Sequence, residues 1–294
     1  MTDDETAGVP MNETGSGAAI TDIIRVFDLV AGGYDHPALR YFPFCADYCV
    51  SRCELRPGEK VLDVACGTGV VATAAAQCVR PGGRVFAVDL SAAMLDRTEQ
   101  NAKKMQLDNI DLHQMDGQRL EFRKDYFHAT LCSFGLFFMP AMDEALRQWV
   151  RVTRPGGRIL FTSFSETAFQ PFLDCFFGQL QDYGIETAKN PALQQLSVAE
   201  NCRAMLQQAG AEEVEVEQKQ FGYHFDSAED WWSVLWNAGL RGRLTGLEPG
   251  VLERFRQEHL AGIERYRTDK GFWLDVPVLI THGIKPCHSS TVTA

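Results

Sequence analysis

The segment that most constrains this chain is VLDVACGTG at residues 61–69, where a short apolar run ends in two closely spaced glycines. Glycines between a strand and a helix let the backbone approach a ligand closely, because a side chain there would obstruct the approach. The segment therefore predicts a strand followed by a ligand-binding loop. What the loop binds depends on the residues around it.

Short β-branched runs alternate with helical segments along the middle of the chain. Strands are predicted at 60–65, 84–88, 110–115, 127–133 and 158–164. Strands that alternate with helices at this spacing indicate βαβ units. The sequence therefore predicts a Rossmann-like, doubly wound α/β fold with a mostly parallel sheet.

The helical segments outside this alternation predict a lid and an insertion. Helices are expected from about residue 21 to the Gly32-Gly33 pair and over 37–54, before the first strand. Others are expected over 168–183, 198–208, 228–237 and 249–266, with a half-exposed strand from Ala211 and a last strand over 273–283. We expect a tail at 1–18, a helical cap at 19–56, a cofactor-binding core at 57–165, acceptor-side insertion and closing strands at 166–285, and a tail at 286–294.

Charge and composition narrow the partners of the chain. A net charge of -11 and a pI near 5.1 disfavour a broad basic surface for nucleic acid or anionic lipid. Nine cysteines spread over 294 residues fit reduced thiols better than a disulfide framework. The N-terminus lacks the features of a secretory signal, and no apolar run approaches the roughly 20 residues of a membrane span. We expect a cytoplasmic protein with a small-molecule partner; the sequence does not indicate its oligomeric state.

Three acids lie at or near the carboxyl ends of three successive predicted strands: Asp63, Asp89 and Asp116. The carboxyl ends of parallel strands share one edge of the sheet, where open α/β folds bind ligands. Asp63 lies inside its strand, and a buried carboxylate is costly unless a cation or hydrogen-bond donors satisfy it. S-adenosylmethionine carries an α-ammonium and a sulfonium and has no phosphate, so this acidic site suits it.

Two other functions are compatible with parts of this pattern. Residues 67–72 also satisfy the dinucleotide fingerprint G-x-G-x-x-A, and Asp89 lies about where a ribose-binding acid is expected. An NAD-dependent oxidoreductase is therefore an alternative, although its first strand is normally apolar throughout. The other alternative is a binding protein that kept the fold without turnover.

Four segments together resemble the class I methyltransferases that depend on S-adenosylmethionine, particularly the ubiquinone/menaquinone-biosynthesis type: VLDVACGTG, AVDLSAAML, Met115-Asp116-Gly117 and RPGGR at 154–158. The resemblance covers about residues 20–165 and implies a seven-stranded sheet with an antiparallel hairpin at one edge. The resemblance and the strand-end pattern give the following candidate cofactor contacts: Tyr34, Asp63, Ala65, Cys66, Gly67, Gly69, Asp89, Leu90, Met94, Asp116, Gly117 and Ser133.

Acceptor and catalytic residues are less sharply indicated. Aromatic side chains near the cofactor and after Phe164 are candidates to contact a flat apolar acceptor, with ordinary core packing as the alternative: Phe134, Phe138, Phe172, Phe176, Trp232 and Trp236. His36 and His224 are candidate general bases, but no sequence neighbour singles them out. No metal is predicted. Cys45, Cys49 and Cys53 share one helix face at i, i+4 and i+8, a spacing that suits a thiophilic ligand or, more commonly, small buried apolar side chains.

Overall fold

A computed structural model describes residues 13–185 and 190–287 of the chain. The predicted tails fall outside these residues except at 13–18 and 286–287. Helix α1, Glu13–Val30, begins eight residues before its predicted start and so includes 13–18. Two glycines in ETGSGA disfavour a helix by intrinsic propensity, so the sequence did not indicate this first part of α1. The remaining predicted boundaries between parts of the chain stay predictions.

The elements alternate as the sequence indicates. The other helices are α2 (Tyr41–Arg52), α3 (Val70–Cys78), α4 (Ala92–Lys104), α5 (Met142–Val152), α6 (Phe172–Asp182), α7 (Pro191–Leu196), α8 (Ala199–Gln208), α9 (Ala228–Trp236) and α10 (Pro249–Ile263). The strands are β1 (Lys60–Val64), β2 (Arg84–Asp89), β3 (Ile110–Gln114), β4 (Phe127–Ser133), β5 (Thr153–Phe164), β6 (Glu212–Gln220), β7 (Tyr223–Phe225), β8 (Phe272–Leu274) and β9 (Pro277–Ile284). Short 3₁₀ helices lie at Ala31–Gly33, Pro37–Leu39, Leu136–Phe138, Gly239–Arg243 and Glu264–Tyr266.

Seven strands form one sheet in the order β3-β2-β1-β4-β5-β9-β6. Strands β1 to β5 run parallel to one another, whereas β9 is antiparallel to both β5 and β6. The predicted Rossmann-like, mostly parallel seven-stranded sheet is confirmed. The expected antiparallel hairpin at one edge is instead an antiparallel pair, β6 and β9, joined by a long connection that contains α9 and α10. Strands β7 and β8 form a separate two-stranded sheet. The predicted helical insertion after the fifth strand is also present, as α6 to α8.

Three local predictions differ from the structure. The predicted last strand is two strands, β8 and β9, separated by Asp275 and Val276. The predicted helix over 37–54 divides into a 3₁₀ helix and α2, and Pro43 lies in the first turn of α2, where the missing N–H is not needed. Helix α7 was not predicted because six residues are too few to show a helical period.

Strand β1 lies at the centre of the sheet and is buried on both faces. Val61, Leu62 and Val64 have no exposed surface, and β1 is paired with β2 on one side and β4 on the other. This arrangement explains why the run before the glycine loop is almost continuously apolar. It also places Asp63 among apolar side chains. The carboxyl ends of β1 to β4 therefore meet at one edge, where the loops after them form a cleft.

Candidate cofactor and acceptor site

The cleft lies at the carboxyl ends of the central strands, beneath α1 and the 3₁₀ helices that follow it. Twelve of the predicted candidates line it, together with His36: Tyr34, Asp63, Ala65, Cys66, Gly67, Asp89, Leu90, Asp116, Gly117, Ser133, Phe134 and Phe138. Seven other candidates do not line it: Gly69, Met94, Phe172, Phe176, Trp232, Trp236 and His224. The structure thus brings together residues from the N-terminal cap and four strand ends.

Asp63 has one carboxylate oxygen with a donor and one without. Its side chain is 1% exposed, and the backbone N–H of Ala72, in the first turn of α3, donates to it. Burial raises the pKa of Asp63 well above its usual range, and the neighbouring Asp89 carboxylate raises it further. Among the described residues, no group donates to Oδ2. An unsatisfied buried carboxylate oxygen facing a cleft fits a ligand with a cationic N–H donor.

Asp89 ends β2 and accepts one backbone hydrogen bond at each oxygen. The N–H of Gly67 donates to Oδ2 at 2.9 Å, and the N–H of Ser91 donates to Oδ1 at 2.9 Å. Burial raises the pKa of Asp89, and these backbone donors oppose that shift. Each carboxylate oxygen has further acceptor capacity. The side chain is therefore fixed in place and still able to accept two hydroxyl donors from a ribose.

Asp116 follows β3 and is held at the turn that leads to Gly117. Its Oδ1 accepts from the backbone N–H of Gln118 at 2.9 Å and from Nε2 of the same residue at 3.1 Å. Gly117 has no room for a side chain, because a Cβ there would lie 2.6 Å from Val64 Cγ1 and 2.8 Å from Met139 Cε. The two residues form a close-fitting floor with one acidic acceptor, which suits the amino-bearing edge of a purine.

The glycine loop is shaped by α4 as well as by its own sequence. Thr98 Oγ1 donates to the carbonyl of Gly67 at 2.8 Å, and Asn101 Nδ2 donates to the carbonyl of Thr68 at 3.0 Å. Gly69 lies at φ +84° before α3, and a Cβ there would meet Thr98 Cγ2 at 2.5 Å. Gly69 does not line the cleft and turns the chain into α3 against Thr98, so its predicted contact with the cofactor stays a prediction.

Tyr34 covers the glycine loop from the N-terminal cap. Its ring stacks on Phe42 with centroids 5.0 Å apart, and its Cε1 lies 3.7 Å from the position a Gly67 Cβ would occupy. Burial raises the pKa of the Tyr34 hydroxyl, so it is protonated at neutral pH. Met94, also predicted to contact the cofactor, is buried beneath Val30 and Ala31 instead. Met94 therefore supports the lid from below.

The loop after β4 provides the opposite wall. Ser133 ends β4, and Phe134 follows at φ +56°, with its N–H donating to Thr162 Oγ1 at 3.0 Å. A left-handed conformation at a bulky residue is strained and is typical of functional sites. Phe138 packs edge-on against Phe27 of α1, with centroids 5.0 Å apart. This wall therefore connects the sheet to the lid through aromatic contacts.

The four aromatic candidates beyond the fifth strand lie outside the cleft, in the arrangement that the alternative of ordinary core packing predicts. Phe172 is buried against Trp231 at 5.4 Å, and Phe176 packs against Phe255 at 5.9 Å. Trp232 and Trp236 stack on each other at 6.1 Å. These side chains form the core that joins α6, α9 and α10, because large aromatic surfaces are most stable when they pack together away from water. Of the predicted acceptor contacts, Phe134 and Phe138 line the cleft.

The two candidate bases occupy different places. His36 lines the cleft, and its Nδ1 accepts the N–H of Ala38 at 3.1 Å, which caps the short helix Pro37–Leu39. His224 lies outside the cleft on β7, beside Trp273 with ring centroids 5.0 Å apart. This position does not support a role for His224 as a base, which stays a prediction. Because Nδ1 accepts this hydrogen bond, the neutral His36 ring carries its proton on Nε2, and a role as base would require this cap to open; that role stays a prediction.

The three cysteines of α2 are all fully buried in the main core. The Sγ atoms of Cys45 and Cys49 are 3.8 Å apart. Burial raises the pKa of Cys53 to about 12, so its thiol is protonated and a poor metal ligand at neutral pH. No group of three or more metal-ligating side chains was found in residues 13–185 and 190–287. The geometry favours the apolar packing role over ligand capture.

Several cleft residues were not predicted. The apolar face of α1 was recognised as a helical stripe, but the structure turns it toward the cleft: Ile20, Ile23, Ile24 and Phe27 line it. Arg40, Phe42, Gln118, Met139 and Pro140 also line it. The helical spacing of these apolar residues was the sequence signal that pointed to this face of α1. Nothing in the sequence distinguishes an apolar face that packs on a core from one that covers a ligand site.

Comparison with known proteins identifies the family. A profile of the ubiE/COQ5 methyltransferase family matches residues 19–225, which is more than half of the chain. The chain belongs to the ubiE/COQ5 methyltransferase family. The predicted membership of a class I methyltransferase family of the ubiquinone/menaquinone type is thereby confirmed. The match extends beyond residue 165, where the sequence motifs had become indistinct.

Two relatives of the ubiE/COQ5 family illustrate the extent of the similarity. The ubiquinone/menaquinone biosynthesis C-methyltransferase UbiE of Hahella chejuensis is 33% identical over 163 residues, covering 54% of this chain and 64% of the relative. The demethylmenaquinone methyltransferase of a Geobacillus species is 31% identical over 128 residues, covering 44% and 55%. The chain thus spans less than two thirds of the length of these relatives.

A solved structure supports the fold assignment. The YcgJ protein of Bacillus subtilis superposes with a TM-score of 0.57 at 19% identity, over 83% of this chain and 98% of that one. At this identity the similarity shows the fold alone. In the part of the chain that the structure describes, no helix is both long and apolar enough to cross a membrane.

Proposed function

We propose that this chain transfers a methyl group from S-adenosylmethionine to a small aromatic or otherwise apolar acceptor by in-line displacement. The observation that carries the proposal is the convergence of Asp63, Asp89 and Asp116 on one cleft, with Oδ2 of Asp63 buried and unsatisfied among the described residues. Family membership supports the reaction class. The names of the relatives make quinone precursors the first acceptors to test.

The residues present fit this cofactor better than a dinucleotide. Asp63 suits the α-ammonium, Asp89 the ribose hydroxyls, and Asp116 with Gly117 the adenine. A pyrophosphate would bring two negative charges next to buried carboxylates, which Coulomb repulsion and desolvation disfavour. The oxidoreductase alternative is therefore weaker, although the glycine loop alone is compatible with it.

When bound, S-adenosylmethionine supplies a methyl group on an already activated leaving group. The residues of this chain then need mainly to hold the reactants in line and exclude water, which contributes roughly 7–11 kcal/mol to lowering a barrier. Tyr34 and the apolar face of α1 cover the cleft, and Phe134 and Phe138 offer flat surfaces to the acceptor. His36 is the one histidine in the described lining, and because its Nδ1 accepts the N–H of Ala38, its Nε2–H can donate a hydrogen bond to the acceptor.

Calorimetry with S-adenosylmethionine and S-adenosylhomocysteine tests the site. We expect both to bind and Asp89→Ala to abolish most of the affinity, because two hydroxyl acceptors are lost. Asp111→Ala is a matched control, since Asp111 lies on the neighbouring strand and pairs with Arg84 outside the cleft. Unchanged affinity in Asp89→Ala, or tighter binding of NADH, would contradict the proposal. Turnover with quinols, phenols and amines then separates an enzyme from a silent binding protein.

A further inference from the structure

The charged side chains that line the cleft are four carboxylates and one guanidinium. The four carboxylates belong to Asp35, Asp63, Asp89 and Asp116, and the last three surround the proposed cofactor position. Among the described lining residues, Arg40 is the one lysine or arginine. It lies two residues before Phe42, whose ring stacks on Tyr34 with centroids 5.0 Å apart. A single cation therefore lines a cleft that otherwise carries carboxylates.

Arg40 is held firmly by neutral groups. Its Nη2 donates to the backbone carbonyl of His224 at 2.6 Å, and its guanidinium carbon lies 3.9 Å from the ring centroid of Tyr223. The Tyr223 hydroxyl in turn donates to the carbonyl of Ala38, which fixes the ring to the N-terminal cap. The strands of the small sheet thus orient the guanidinium from behind without neutralising it.

The positive charge of Arg40 has no protein counter-ion within the described chain. No carboxylate of residues 13–185 or 190–287 forms a salt bridge with it, and its Nε is shielded from water and has no hydrogen-bond partner there. The nearest acid along the lining, Asp35, is already engaged by Arg97 at 2.9 Å and Asn101 at 3.0 Å. A shielded N–H without a partner destabilises the protein unless a ligand satisfies it.

We propose that Arg40 recognises an anionic oxygen of the methyl acceptor, either a carboxylate or a phenolate or enolate. This inference rests on the proposed function, because it assigns the acceptor half of the same cleft. Guanidinium groups bind such oxygens through charge-assisted hydrogen bonds. A cation beside a phenolate or enolate also holds the acceptor deprotonated and electron-rich. The acceptor would then meet the cationic donor as an anion, and both charges disappear when the methyl group moves.

Paired probes test this recognition on protein saturated with S-adenosylhomocysteine. The carboxylate arm compares 4-hydroxybenzoate with the neutral 4-hydroxybenzamide. The phenolate arm compares 4-nitrophenol above and below its own pKa. Titrations followed by ligand NMR are expected to show about tenfold tighter binding of the anionic member in at least one arm, and the arm that responds identifies the oxygen. Arg40→Gln should abolish the preference, whereas Arg40→Lys should keep part of it.

Arg241→Gln provides the matched control. Arg241 also packs over an aromatic ring, 4.2 Å from the Trp236 centroid, and also donates to a backbone carbonyl, that of Leu29, but it does not line the cleft. It should leave the preference intact. Equal binding of both members in each arm, or a preference that survives in Arg40→Gln, would overturn the inference. Failure of S-adenosylhomocysteine to bind wild-type protein would instead refute the proposed function.

Discussion

At the scale of single residues, the buried carboxyl group of Asp63 favours a ligand that donates a hydrogen bond to it. The carboxylate is buried in a central strand, one oxygen is satisfied by the start of α3, and the other faces the cleft. Burial therefore shifts this group toward its protonated form in the free protein, and a bound ammonium shifts it toward the carboxylate. Binding of the cofactor should be coupled to the loss of a proton from this group.

Asp63→Asn is predicted to weaken cofactor binding without lowering the stability of the free protein. The amide keeps the shape and removes an ionisable group whose pKa is raised by burial, which opposes folding at neutral pH, so the free energy of unfolding of the free protein should be unchanged or higher. Affinity for S-adenosylmethionine should fall at least about tenfold, because a hydrogen bond to a charged group is lost. Calorimetry in buffers of different ionisation enthalpy should show proton release on binding by the wild type and none by the variant. Equal proton release in both would contradict this role.

Gly69 carries a second residue-scale prediction. Gly69→Ala places a side chain at φ +84° and against Thr98, so the free energy of unfolding should fall by about 1–3 kcal/mol. Gly250→Ala is the control, since a Cβ there meets nothing within 4 Å and no positive φ is required. Urea unfolding measures both. A Gly69→Ala protein as stable as the control would show that the loop relaxes freely.

At the scale of elements, two polar contacts fasten the N-terminal lid to α4. Asp28 of α1 accepts from Ser91 Oγ at 2.5 Å, and Ser91 also caps α4. Asp35, just after Tyr34, accepts from Arg97 and Asn101. Because Asn101 also bonds the glycine loop at the Thr68 carbonyl, the position of Tyr34 is connected to the shape of that loop.

Asp35→Asn is therefore predicted to loosen the lid. The side chains of Asp35 and Arg97 are 28% and 27% exposed, so losing their ion pair should change the free energy of unfolding by less than about 1 kcal/mol. Dissociation of S-adenosylhomocysteine, followed by stopped-flow fluorescence, should become several-fold faster. Asp22→Asn, which removes the exposed pair with Arg25 on the same helix, should have no effect. Equal rates in both variants would disprove the connection.

At the scale of the whole molecule, the aromatic core joining α6, α9 and α10 contains a buried histidine. Trp231 Nε1 donates to His259 Nε2 at 2.8 Å, and His259 Nδ1 lies 3.0 Å from Gln179 Oε1, so the neutral ring carries its proton on Nδ1. Burial lowers the pKa of His259 to about 4 from 6.5. Burial also lowers the pKa of His282 on β9 to about 4.

The lowered pKa values of His259 and His282 predict that the protein loses stability in mild acid. The unfolded imidazoles take up protons near pH 6.5, whereas the folded ones resist protonation until about pH 4. The two neutral histidines contribute fully to stability above pH 6.5, and this contribution is lost as the pH decreases toward 4. For His259 the free energy of unfolding falls by about 3 kcal/mol over this range. Unfolding followed by tryptophan fluorescence between pH 7 and 4 measures the slope. His259→Phe should reduce it, leaving the part from His282; an unchanged slope would contradict the assignment.

The sequence by itself determined the donor half of this protein. Strand alternation, the glycine loop and the acids after successive strands are local patterns, and parallel pairing brings strand ends together wherever they occur. The fold and the positions of Asp63, Asp89 and Asp116 were therefore predictable, and family membership confirms the class.

Only the tertiary structure decided which residues line the rest of the cleft, where we propose that the acceptor binds. An apolar helix face has the same period whether it packs on a core or covers a cleft, so α1 was recognised without its role. The aromatic side chains of α6 and α9 suggested a roof, but their mutual packing with α10 buries them elsewhere. Arg40 is oriented by contacts with Tyr223 and His224, which lie more than 180 residues away in the sequence. Such long-range contacts depend on how elements pack, which no local spacing in the sequence specifies.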